Sequence, residues 1–148
     1  MNETDFERSL SDTGKNEAIA ESENLISKIT SIDLILSSSA LRTKQTAEYF
    51  RKALNCTAEK IKHLDGLYLA SAEKIESLIS SVEKDVDCLM VVCHNPGITD
   101  FVNSLIPNVR IDNMPTCGIF CVEAEVYNWE EFKTAEKTFL FFDYAGKN

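Results

Sequence analysis

The chain has 148 residues, 44% of them hydrophobic and 26% charged, which suits one domain with a sizeable core and excludes disorder or a fibrous repeat. Acidic residues outnumber basic ones 24 to 15, for a formal charge of −9, a field that repels nucleic acid and anionic membrane surfaces. The longest apolar run, Cys88 to Cys93, is far too short to span a bilayer.

Met1 to Glu7 are polar and acidic and carry no secretory-signal pattern, so the expected location is cytoplasmic. Apolar residues at helical spacing then predict a helix over 15–29, with Ser11 and Thr13 as candidate N-caps. Residues 33–37 form a short apolar run suited to a buried strand. Ser39 is positioned to cap a second helix carrying Leu41, Tyr49, Phe50 and Leu54. A short strand is expected around Ile61, and a third helix from Ser71 through Val82.

Cys88 to Cys93 reads as the most buried strand, apolar on both faces as a central parallel strand is. It runs into His94-Asn95-Pro96-Gly97, where Asn95 as N-cap and Pro96 at the first helical position open a helix through Leu105. Residues 118–126 and 138–144 read as strands, with a turn or short helix at 129–132. Alternating strands and helices predict an α/β domain over residues 1–148, with a mostly parallel sheet and room for an antiparallel edge.

Five cysteines, at 56, 88, 93, 117 and 121, form no CxxC pair, and an odd count favours reduced thiols over a disulfide framework. Cys88 and Cys93, in the apolar run, read as small core residues. A cysteine phosphatase needs an arginine six positions past its thiolate. Lys62, His94, Thr99, Glu123 and Tyr127 stand there instead, which excludes that chemistry. The two histidines lack metal-ligand spacing, and the five glycines form neither a Walker loop nor a dinucleotide fingerprint, so no metal and no cofactor are expected.

Ligands of open α/β sheets bind outside the carboxyl ends of the strands. Arg42 falls there, in the first turn of a helix whose N-terminus is already partly positive, an arrangement suited to an anion such as phosphate. A solvated surface arginine is the plain alternative. His94 follows the next strand end, and its alternative is a hydrogen-bonded structural histidine. His63 has no partner suggested by sequence and reads as structural.

Taken together, Asp5-Phe6-Glu7-Arg8-Ser9-Leu10 with Gly14-Lys15, the run Asp33 to Ala47, Leu67 to Ser71, Val91 to Gly97 and Asn113 to Thr116 form five collinear landmarks. They resemble the histidine phosphatase superfamily (phosphoglycerate mutase-like), and within it the SixA-type phosphohistidine phosphatases. The resemblance implies a three-layer sandwich and metal-free phosphoryl transfer, in which a histidine attacks phosphorus and two arginines and a second histidine hold the charge. Arg42 matches the second arginine and His94 the second histidine. Arg8 matches an arginine bordering the pocket, and Thr116 a hydroxyl donor near it. The implied partner is a phosphohistidine-containing protein such as a phosphotransfer domain.

The resemblance also implies a first strand ending in an arginine–histidine pair ahead of Asp5, and that motif is absent from these 148 residues. The expectation is therefore a domain without its nucleophile, inactive as this chain. It reads as a fragment or mis-started frame of an enzyme, a phosphate-binding pseudophosphatase, or an acidic structural domain. A chain losing an inner strand is expected to fold poorly or to close its sheet by rearrangement. Ser9 and Ser39 replace frequent prolines, and Cys93 a usual glycine. Leu69 stands where some relatives carry glutamate, which disfavours the alternative activity on small phosphomonoesters, whose alkoxide leaving group needs a proton donor.

Overall fold

The computed structural model describes residues 4–147. In chain order its main elements are α1 (Asp12–Ile26), β1 (Leu34–Ser38), α2 (Leu41–Ala53), β2 (Ile61–Leu64), α3 (Ala72–Ser80), β3 (Leu89–Val92), α4 (Gly97–Asn103), β4 (Ile119–Glu123) and β5 (Thr138–Asp143). Short 3-10 turns occupy Ala58–Lys60, Asp65–Leu67 and Trp129–Glu131.

The alternation along β1 sets the layers. Strand side chains point to opposite faces in turn, so Leu34 and Leu36 pack with Ile75 and Ile79 of α3, Phe101 of α4 and Phe132. Ile35 packs on the other side with Leu25 of α1, Ala47 and Phe50 of α2, and Ile61 of β2. Helices thus cover both faces of a parallel sheet of strand order β2-β1-β3, as βαβ crossovers require. This is the expected α/β sandwich. The C-terminal third forms a separate antiparallel pair, β4-β5, with an irregularity between Cys121 and Val122, where the sequence left room for an antiparallel edge on the parallel sheet.

Several boundaries differ from the sequence reading. Ser11 caps α1, its side chain accepting from Gly14 N, so Thr13 lies inside the helix, and the helix ends at Ile26. Ser39 is not the cap of α2. Ala40 holds that position, while Ser38 Oγ accepts from Ala40 N. Ser71, where the sequence starts the third helix, is its cap, the side chain accepting from Lys74 N, and the helix ends at Ser80. Asn95 is not the cap of α4: the helix starts at Gly97 with Pro96 before it, after a cis Asn95–Pro96 bond. The amide of Asn95 is engaged elsewhere, donating to Met114 O and accepting from Thr99 Oγ1.

The most consequential difference concerns the apolar run 88–93. β1 is the fully buried strand, whereas every residue of β3 is only half-buried, as are Cys88 and Cys93. β3 pairs with β1 along one edge and makes no ladder with β4 on the other. Burial in a sheet depends on neighbours, and hydropathy alone does not report them.

Candidate active site

The site forms where β1 and β3 end side by side. Ser37 and Ser38 at the end of β1 are fully buried, and Ser39 nearly so. Buried hydroxyls need partners. Ser37 Oγ donates to Ser38 O, and Thr43 Oγ1 lies 2.9 Å from Ser38 O and 2.8 Å from Ala40 O. These contacts tie the strand end to the first turn of α2 and fix the position from which Arg42 projects.

His94 leaves the end of β3 two residues past Val92 and is 7% exposed. The Nη2 of Arg42 lies 3.0 Å from its Nδ1, and Ser38 Oγ lies 2.7 Å from its Nε2. A guanidinium has only donors, so Nδ1 must accept, and the imidazole is neutral with its proton on Nε2, donated to Ser38. Burial and the neighbouring positive charge of Arg42 push the His94 pKa down to about 4, in agreement with that tautomer. The sequence pairing of Arg42 with His94, 52 positions apart, is thus realised in space.

Two further residues complete the cluster. The Tyr68 ring packs edge-on against His94, centroids 5.3 Å apart, and edge-on against Phe6 at 5.0 Å. Its hydroxyl donates to Asp5 Oδ2 at 2.6 Å. Arg42 donates to the same Oδ2 at 3.2 Å through Nη2, and to Asp5 O at 2.8 Å through Nη1. The Tyr68 hydrogen bond and the guanidinium hold the Asp5 carboxyl below its usual range, and the carboxylate in turn raises Tyr68. Asp5 is therefore a carboxylate resting on Arg42. The loop carrying it is anchored at both ends: Leu41 N donates to Phe6 O at 3.0 Å, and Leu10 N to Gln45 Oε1 at 2.7 Å.

Arg8 is exposed: its backbone N donates to Asp5 O at 3.3 Å, while its side chain makes no hydrogen bond to this cluster, although its charge acts on both Asp5 and Tyr68. Thr116 is exposed on the wall of the cavity that Arg42 and His94 also line, without a hydrogen bond to either. His63 sits exposed on β2, opposite Ser37 in register. Ser38 and Tyr68 escaped the sequence reading as site residues. A buried polar residue ending an apolar strand was the available signal for Ser38; for Tyr68 only its neighbourhood, 67–71, stood out.

Among the described residues, no three His, Cys, Asp or Glu side chains converge to hold a metal ion. Burial drives the Cys93 thiol up to about 12 and those of Cys117 and Cys121 to about 11, so none supplies a thiolate near neutral pH. No described helix is long and apolar enough to cross a membrane. Chemically, the cluster offers a guanidinium, a phenol, a serine hydroxyl and a neutral imidazole at the mouth of a parallel sheet. That set suits an oxyanion.

No protein-family model and no curated relative matches the chain. Solved structures do. A candidate SixA phosphohistidine phosphatase from Nakamurella multipartitia superposes with a TM-score of 0.84 at 19% identity, over 99% of this chain and 90% of that one. A protein histidine phosphatase SixA complexed with tungstate gives 0.80 at 20% identity, over 97% and 88%. A candidate SixA from Agrobacterium tumefaciens gives 0.75 at 25% identity, over 96% and 87%. The chain therefore has the fold of the SixA, phosphoglycerate mutase-like proteins over nearly its whole length.

Proposed function

We propose that this domain is a SixA-type phosphohistidine phosphatase unit, in which the Arg42–His94 cluster receives the phosphoryl group of a phosphorylated histidine in a protein partner. The observation that carries the reading is the 3.0 Å contact between Arg42 Nη2 and His94 Nδ1 at the carboxyl edge of a parallel sheet. The likeness in fold to a SixA protein bound to tungstate, an oxyanion, supports it.

Arg42 supplies charge-assisted donors to the equatorial oxygens, and α2 adds the partial positive charge of its N-terminus. Bringing an anion to the cluster displaces the Asp5 carboxylate, since both compete for one guanidinium. An anion beside His94 favours the imidazolium, so bound phosphate raises the His94 pKa and turns that residue from acceptor to donor. Ser38 then holds the ring from behind. Arg8 and Thr116 border the same opening and add a cation and a hydroxyl at its rim.

These 148 residues contain two histidines. His94 has both ring nitrogens engaged, and His63 lies on the exposed side of β2. Neither is placed to attack phosphorus, so this chain by itself binds the phosphoryl group without turning it over. Leu69, exposed beside Tyr68, offers no proton to an alkoxide, and Asp5 is held ionised. A phosphohistidine, whose imidazole leaves readily once protonated, fits such a site better than a small phosphomonoester.

Titration calorimetry with tungstate tests the reading. Binding in the wild-type chain and its loss in Arg42→Ala support it. Equal binding in the two removes Arg42 from the site, and turnover of a phosphohistidine protein by this chain refutes the absence of a nucleophile.

A further inference from the structure

A cavity of about 1300 Å³ lies between the parallel sheet and the β4-β5 pair. Its walls identify what it takes. All four residues of β3 line it in unbroken succession, as do all five of β4. A strand meeting a cavity with its face exposes alternate residues only. Consecutive lining from both strands means that the cavity meets them edge-on. Among the described residues each edge is also unladdered: β3 pairs only with β1, and β4 only with β5. Helices close the slot on its other sides, with Leu25 and Phe50 from α1 and α2 and Phe101 and Val102 from α4.

We infer that this slot is a binding site for one extended peptide strand, apolar on both faces, which inserts between β3 and β4 and joins the two sheets into one. A strand so placed stands about 4.8 Å from each neighbour and offers both edges the amides and carbonyls they lack. An aliphatic ligand fills the volume and leaves those groups unpaired. Charge specifies the occupant further. Leu89–Val92 carry no ionisable side chain, β4 carries only Cys121 and the terminal Glu123, and Lys28 on the wall is paired with Asp143 at 3.4 Å, so the inserted residues are uncharged. Lys84 and Asp87 line the amino end of β3, and Arg42 and His94 the carboxyl end, so polar or charged groups belong at the peptide's two termini. The neighbouring strands have four and five residues, so a strand of the usual length of about six covers both edges. The inference goes beyond the phosphoryl-binding reading and does not depend on it.

The cysteines provide the test. Cys88, Cys93, Cys117 and Cys121 line the slot, whereas Cys56 does not. The probe is a synthetic peptide of about six Val and Ile residues, with a lysine at each end. A second peptide carries the same side chains with alternate backbone amides N-methylated, which prevents ladder formation. At ten times its Kd the first peptide is expected to slow alkylation of the slot cysteines about tenfold, leaving Cys56 unchanged. It is also expected to protect the amides of both Leu89–Val92 and Ile119–Glu123 from exchange. Equal binding of the N-methylated peptide overturns the proposal, since an apolar sink needs no ladder. Protection confined to one strand overturns it as well. So does self-association of the chain that protects the same amides without peptide, because the slot is then filled by a second copy.

Discussion

The carboxylate of Asp5 rests 3.2 Å from Arg42 Nη2, and the backbone carbonyl of the same residue takes Nη1 at 2.8 Å. The chain's own anion thus occupies the guanidinium on which the proposed function depends. Tyr68 steadies it from the other side. Replacing Asp5 by Asn removes the competing charge while keeping the shape of the side chain. Because this ion pair is solvent-exposed and screened, Asp5→Asn is expected to tighten tungstate binding by about fivefold at most, read by titration calorimetry. Weaker binding in the variant shows instead that Asp5 supports the anion.

His94 makes stability depend on pH. Its folded pKa of about 4 lies below the 6.5 of a free imidazole, so the unfolded chain binds the extra proton first. The stabilisation is complete above pH 6.5 and is lost as the pH falls from there through 4. It amounts to about 3 kcal/mol. Urea melts across that window are expected to show the midpoint rising with pH, and His94→Asn is expected to flatten this component. The same titration followed by NMR in the presence of tungstate is expected to show the His94 pKa moving upward.

Ser38 holds the imidazole from the buried side. Ser38→Ala leaves the Nε2–H of His94 and the amide of Ala40 without their acceptor. The expected cost is about 1–3 kcal/mol in a urea melt. A looser ring also weakens tungstate binding, whereas a purely structural role of Ser38 leaves the affinity unchanged.

Gly97 opens α4 three residues past His94, where the helix passes so close to the 67–71 loop that a Cβ would come within 1.8 Å of Ala70 O. That neighbour is backbone and has nowhere to go. Gly97→Ala is expected to cost about 3 kcal/mol or to prevent folding, measured by circular dichroism and urea titration. Near-native stability in the variant places α4 farther from the loop.

Much of this was legible in the chain itself. Apolar periodicity and cap residues located the four helices to within a few positions, because the helical repeat and the orphan amides of a first turn are local properties. Asn95 and Ser39 look like caps in the sequence and are not, for the opposite reason: their surroundings are set by Met114 and Thr99 in one case and by the Ser38–Ala40 turn in the other. The run 88–93 has the sequence of the most buried strand and is only half-buried. Its composition fits a central strand, yet its burial depends on what lies along its second edge.

The sequence by itself determined the fold class, the positions of Arg42 and His94 at two strand ends, and the exclusion of thiolate chemistry, since each follows from residue type and spacing. Only the tertiary structure decided that these two side chains meet, that Ser38 and Tyr68 flank them and that Asp5 covers the guanidinium. It alone separated the sheet into two parts with a slot between them. Such contacts join residues tens of positions apart, and their formation rests on packing and hydrogen-bond partners that no local pattern encodes.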